Sequence, residues 1–161
     1  MSRGNRRVRR TRRGDFEVQL PEEERALLRS VSLQVRAVLL EPDTAAAPWL
    51  ARLFPVAYPE DEEREREYRQ LMHDELRNRH MEAIETLEAT LGAERLSEAQ
   101  MLGWLAALND VRLVLGTRLD VSEETTEDDY EEDDPDHGLF GVYTYLGWLQ
   151  EQVVTAVDPE A

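Results

Sequence analysis

Apolar side chains recur every three or four residues along four long stretches of this 161-residue chain, whereas strict alternation of the kind a β-strand needs occurs once, at Phe16, Val18 and Leu20. A period of three to four lines one helix face with apolar groups, so the pattern confines the fold to helices packed on helices. The first stretch follows Pro21, has Glu22, Glu23 and Glu24 in its first turn, where carboxylates suit the helix dipole, and carries Leu28, Val31, Val35, Val38 and Leu39 to a stop at Pro42. The second runs from Asp61 to Gly92 through Tyr68, Met72, Leu76, His80, Ile84, Leu87 and Leu91. Its length leaves open a break near His73, with Asp74 capping a further helix. Ser97 with Gln100 forms a capping box for the third, which presents Met101, Leu105, Leu108, Arg112 and Leu115 and is expected to stop at Gly116. Leu139, Tyr143, Leu146, Val153 and Val157 mark the last, where Gly141 and Gly147 point to close helix contact. The expected fold class is all-α, a single-domain bundle of four or five long helices. Residues 16–20 are expected to lie extended on it with no sheet to join.

Charge divides the chain further. All 19 basic residues are Arg, set against 35 acids for a net charge of -16. Seven of them, Arg3, Arg6, Arg7, Arg9, Arg10, Arg12 and Arg13, fall in residues 1–13, read as a flexible Arg-rich arm preceding a helical domain over 14–158. At the other extreme, 11 acids and no Arg lie between Asp120 and Asp136, and a run so self-repelling is expected to form a disordered acidic loop over 120–138. Arm and loop, tethered in one chain, are expected to meet transiently and to compete for the arm's partners.

Composition removes many chemistries. With no Cys there are no disulfides, thiolate metal sites, Cys nucleophiles or thiol-based sensing within this chain. No apolar stretch is long enough for a bilayer span and no apolar segment follows the Arg-rich start, so no membrane association is expected and the chain reads as cytoplasmic. There is no Gly-rich phosphate loop, nucleophile elbow or zinc-protease helix, and Gln70 and Arg77 stand where a di-iron site would need Glu before His73 and His80. The expectation is therefore no enzyme, no cofactor and no metal. The turn at Gly92 before the Ser97 helix superficially resembles a helix-turn-helix, but Glu98 and an apolar stripe stand where base-reading side chains belong. Nucleic-acid contact is expected through the arm only, the alternative for the arm being a solubilising tail.

Two further groups of residues stand out. Asn109, Asp110, Arg112, Thr117 and Arg118 fall in the segment Leu108 to Leu119, read as a buried or semi-buried polar network; Asn109 and Arg112 share one helix face, and Arg112 falls on the inward stripe, where a guanidinium calls for a carboxylate or carbonyl. An architectural role, Arg112 bridging two helices, is preferred to a ligand site. Tyr145 and Trp148 lie among aromatics spread around the last helix, as candidates for a partner surface. The ordered set Leu53-Phe54-Pro55, Tyr58-Pro59, Leu108-Asn109-Asp110, Leu115-Gly116-Thr117-Arg118-Leu119 and Tyr145-Leu146-Gly147-Trp148-Leu149-Gln150-Glu151 resembles an actinobacterial family of unknown function. Its genes commonly sit beside that of the ClpS protease adaptor, and it includes the oxidative-stress transcription regulators called AosR. The resemblance implies regulation through a protein partner, RNA polymerase or a sigma factor, with accessory work in Clp-dependent proteolysis as the alternative. Thiol sensing proposed within that family cannot operate in this chain, which has no Cys.

Overall fold

The computed structural model describes residues 6–41, 50 and 52–158. Four helices carry the fold: α1 over Glu22–Leu39, α2 over Glu62–Thr90, α3 over Glu98–Arg118 and α4 over Pro135–Val157. Helix α3 packs against each of the other three, and its buried residues Met101, Trp104, Ala107, Leu108, Val111, Val114 and Leu115 occupy more than one of its faces. A helix apolar on several sides belongs at the centre. Its start is the capping box anticipated at Ser97, with Ser97 Oγ accepting from the Gln100 amide and Gln100 Oε1 accepting from the Ser97 amide. No helix among the described residues is long and apolar enough to cross a membrane.

Several sequence expectations need correction. Residues 16–18 do have a sheet to join: β1, Val8–Arg10, pairs antiparallel with β2, Phe16–Val18, which pairs antiparallel with β3, Arg95–Leu96. Val8, Phe16, Val18 and Leu96 are all buried on its inner face, so burial of apolar side chains on three short segments holds each of them extended. The segment expected as an unstructured arm is therefore in part the edge strand of a hairpin, closed through Thr11–Asp15 with Gly14 at φ 91°. A side chain at Gly14 would be strained whatever the space around it. Arg3 lies outside the described residues, as does most of the stretch from Pro42 to Ala51, apart from the buried Leu50.

Helix α2 runs unbroken through His73 and Asp74, with Asp61 as its cap, so the alternative of a further helix does not occur. Gly116 does not stop α3. The helix continues to Arg118, and Asp120 takes the left-handed conformation (φ 52°) while the Val121 amide donates back to the Gly116 carbonyl and the Asp120 amide to that of Thr117. That is a Schellman ending with Asp in the place usually taken by Gly. The acidic segment is likewise more structured than expected. It contains a 3-10 turn at Glu127–Asp129, and α4 begins at Pro135, capped by Asp134. Tyr130 anchors it, with its ring 5.3 Å from that of Phe140 and its hydroxyl donating to the Leu119 carbonyl.

Candidate functional site

The hairpin end of the molecule is organised by Glu24. Its carboxylate accepts from Arg7 Nε and Nη2 (3.1 and 2.9 Å) and from the Tyr145 hydroxyl (2.7 Å), joining β1, α1 and α4. Arg7 also lies 5.3 Å above the Trp148 ring, and its amide donates to Gln152 Oε1. Tyr145 and Trp148, expected to face a partner, are thus engaged within the chain, where they seat the hairpin. Burial pushes the Glu24 carboxyl up, yet the hydrogen bonds from Arg7 and Tyr145 together with the Arg7 charge outweigh it and hold it below its ordinary value. A lowered carboxylate stabilises the fold above its unfolded pKa and loses that contribution as pH falls through the folded value, which here means below 4.5. Tyr145→Phe removes one charge-assisted hydrogen bond and is expected to cost about 1.5 kcal/mol in urea denaturation at neutral pH. The same variant should also begin to unfold at a higher pH on acid titration, because its Glu24 is easier to protonate.

The other hairpin arginines divide by partner. Arg9 pairs with Glu17, and Arg10 donates to the Val157 carbonyl at the end of α4, stands 4.0 Å from Glu98 and lies over the Phe16 ring. Arg6, Arg12 and Arg13 are exposed and have no carboxylate partner among the described residues. Arg6, Arg7 and Arg9 line a concavity of about 420 Å³ with Glu17 and Gln19. Positive charge is therefore collected on a placed surface at the C-terminal end of α4, and the acidic segment leads into its N-terminal end. Both placements complement the helix dipole. Phe140, beside Tyr130, and Val157, beside Arg10, are seventeen residues apart on α4, or roughly 25 Å, while Trp148, beneath Arg7, is eight residues from Phe140, or roughly 12 Å.

The second group of sequence candidates forms the seam between α3 and α4. Gly147 lies against Arg112, so close that a Cβ there would sit 3.1 Å from Arg112 Nε. One turn along, Gly116 lies against Tyr143, at 3.1 Å from its Cε2. Each large side chain fills the space left by a glycine on the facing helix, which is what the Gly116 and Gly147 motifs encode. Gly141 has nothing within 4 Å and makes no such contact. Arg112 is half-buried and, among the described residues, not paired as expected: its guanidinium stacks over Tyr143 at 4.9 Å, and its buried Nε has no hydrogen-bond partner there. Asn109 accepts from Gln150 Nε2 across the same seam, Thr117 bonds back to the Leu113 carbonyl within its own helix, and Arg118 is exposed at the rim of an apolar groove with Leu139 and Val142. Since Arg112 forms no buried ion pair, Arg112→Ala is expected to cost about 1–2 kcal/mol, for the lost stacking and stem packing, with Arg112→Met recovering about half by urea denaturation.

Asp110, the remaining member of that group, belongs elsewhere. It is buried and faces His80 on α2, with Nδ1 to Oδ2 at 2.7 Å, while His80 Nε2 lies 3.1 Å from the Leu53 carbonyl. Burial pushes the imidazole down, but the hydrogen bond and charge of Asp110 prevail and raise it. Sequence reasoning placed His80 on the inner stripe without finding its partner, and missed Glu24 altogether. A first-turn Glu at the start of a helix gives no sign that a strand will dock on it.

Residues 5–157 match the family described as Domain of unknown function (DUF2017). Over 87 residues the chain is 34% identical to a Mycobacterium leprae (strain TN) protein named "Putative oxidative stress regulator AosR". That match covers 52% of this chain and 38% of the relative, so the aligned region spans well under half of the relative's length. No solved structure matches. With the family match running from β1 to the end of α4, this chain belongs to the DUF2017 family.

Proposed function

We propose that this chain is a non-catalytic regulatory protein of the cytoplasm that acts by contact with RNA polymerase or a sigma factor, its basic hairpin touching nucleic-acid phosphates beside that contact. The observation that carries the reading is the separation of charge: a hairpin set by Arg7 and Arg10 against the C-terminal half of α4, with Arg6, Arg12 and Arg13 lacking a carboxylate partner among the described residues, and an acidic segment over 120–136 that leads into the other end of α4. Guanidinium groups on a placed hairpin suit phosphate, while exposed carboxylates suit the basic surfaces that DNA-binding proteins present. The relative named as an oxidative stress regulator supports a regulatory role in general.

Crosslinking the full chain in cell extract, followed by mass spectrometry, tests this directly. The expected result is crosslinks from polymerase or sigma subunits that are lost when the acids between Glu123 and Asp136 are changed to Gln and Asn. Crosslinks to Clp subunits would move the chain to accessory work in proteolysis. Crosslinks unaffected by that change would show that the acidic end is not the contact.

A further inference from the structure

Residues 52–61, which lead into α2, lie against the core as a strap, and two side chains from α2 hold it. Leu50 and Leu53 are buried in the core cluster, with the Leu53 amide donating to the Leu50 carbonyl. Glu65 accepts from the amides of Ala57 and Tyr58 at 3.0 and 2.8 Å. His80 takes the other end: one ring nitrogen faces the Asp110 carboxylate, the other the Leu53 carbonyl, and the ring meets Phe54 edge-on at 5.7 Å. Both of its partners are acceptors. A neutral imidazole has one N–H and one lone pair, so it can satisfy only one of them, whereas the imidazolium donates to both. The charged groups facing the ring are Asp110 from α3, which favours the proton, and Arg79 from its own helix, which opposes it. Among its described residues the strap contributes no charge there, only the Leu53 carbonyl and the Phe54 ring, against which His73 also lies at 4.8 Å.

We propose that His80 is a proton-dependent latch: as imidazolium it ties Leu53 to Asp110 and closes the strap on the α2–α3 core, and on losing its proton it keeps Asp110 and releases the strap. The choice follows from charge, because the single remaining N–H bonds more strongly to a carboxylate than to a carbonyl. Release loosens Leu50 and Leu53 from the core and so uncovers apolar surface only at the higher pH. The sign is fixed by linkage. Asp110 stays with the ring in both states, so it is the Leu53 carbonyl that makes the proton held more tightly in the closed state; that bond keeps the strap shut while the ring is charged and yields it as pH rises through the folded value.

The test uses the full chain. Long-range nitrogen–proton NMR of the His80 ring from pH 5.5 to 9 reports its charge, and hydrogen exchange at the Leu53 amide, expressed relative to the unstructured rate, reports strap opening. The expected result is a His80 midpoint above 6.5, with opening that rises by up to about tenfold per pH unit below that midpoint and then levels off. The Val111 amide in α3 should show no such dependence. Asp110→Asn should move the His80 midpoint down and carry the opening curve with it by the same amount, which a purely structural role would not do. Should that variant fail to fold, the parent alone decides. His80 neutral at pH 6.5 or below with Leu53 still protected, or Leu53 opening unchanged across the His80 titration, would overturn the latch.

Discussion

Trp104→Ala is expected to lower the unfolding free energy by about 3–5 kcal/mol, the largest single loss available in this fold. Trp104 is fully buried at the centre of α3, and its Nε1 donates to Thr90 Oγ1 at 2.6 Å, which in turn donates to the Thr86 carbonyl of α2. Truncation leaves a cavity on the helix that every other helix packs against, where collapse of one wall would pull on two others. Against a total stability of about 5–15 kcal/mol typical of such domains, the loss leaves little or none. Trp104→Phe separates the two contributions. It keeps most of the ring volume and strips only the N–H, while Thr90 retains its bond to Thr86, so about 1–2 kcal/mol is expected. Urea denaturation of both variants, read at unchanged slope, checks the pair. Equal losses would mean that the hydrogen bond rather than the cavity controls this site.

The helices were legible in the sequence because each buries a periodic stripe, and the Ser97–Gln100 box was legible because its two hydrogen bonds need those residue types at that spacing. The sheet was not. Its strands are two or three residues long, and although β2 lies in an alternating run, β1 offers one apolar residue among arginines and β3 offers Leu96 alone, so nothing in the sequence announces the partners of β2. What makes them strands is tertiary: Phe16 and Val18 need cover on both sides, and Val8 and Leu96 supply it. The glycine motifs were legible as close contact, although which large residue each would receive was not. Gly147 receives Arg112 and Gly116 receives Tyr143, while Gly141, with the same local signal, receives nothing. Arg112 was expected to find a carboxylate because burial of a guanidinium demands compensation. An aromatic face supplies part of it, and sequence periodicity does not distinguish a facing ring from a facing acid.

Duplex DNA binding by the full chain is expected to weaken with salt at a log–log slope near -3, shallower than a count of seven arginines in the first thirteen residues would suggest. Each phosphate neutralised by a free guanidinium contributes about -0.9 to the slope, and the hairpin offers three such groups with no carboxylate partner among the described residues, Arg6, Arg12 and Arg13. Arg9 and Arg10 are shared with Glu17 and Glu98, so exchanging those contacts for phosphate releases fewer counterions; the limit if both exchange fully is about -4.5, or about -5.4 with Arg3, which lies outside the described residues, also engaged. Arg7 is committed to Glu24 and Trp148. Deleting residues 1–13 is the wrong experiment here, because it removes the buried Val8 and an edge strand, and lost binding would then only report a damaged fold. Changing Arg6, Arg12 and Arg13 together to Ser leaves Val8, Arg7 and the Glu24 contacts in place. That triple variant is expected to lose at least tenfold in affinity at low salt with its melting temperature nearly unchanged, and to lose the salt dependence with it. Binding kept at full strength by the folded triple variant would place the nucleic acid on some other surface and leave the hairpin arginines as a solubilising edge. A parent slope steeper than about -5.5 would mean that Arg7, too, lets go of Glu24 when phosphate arrives.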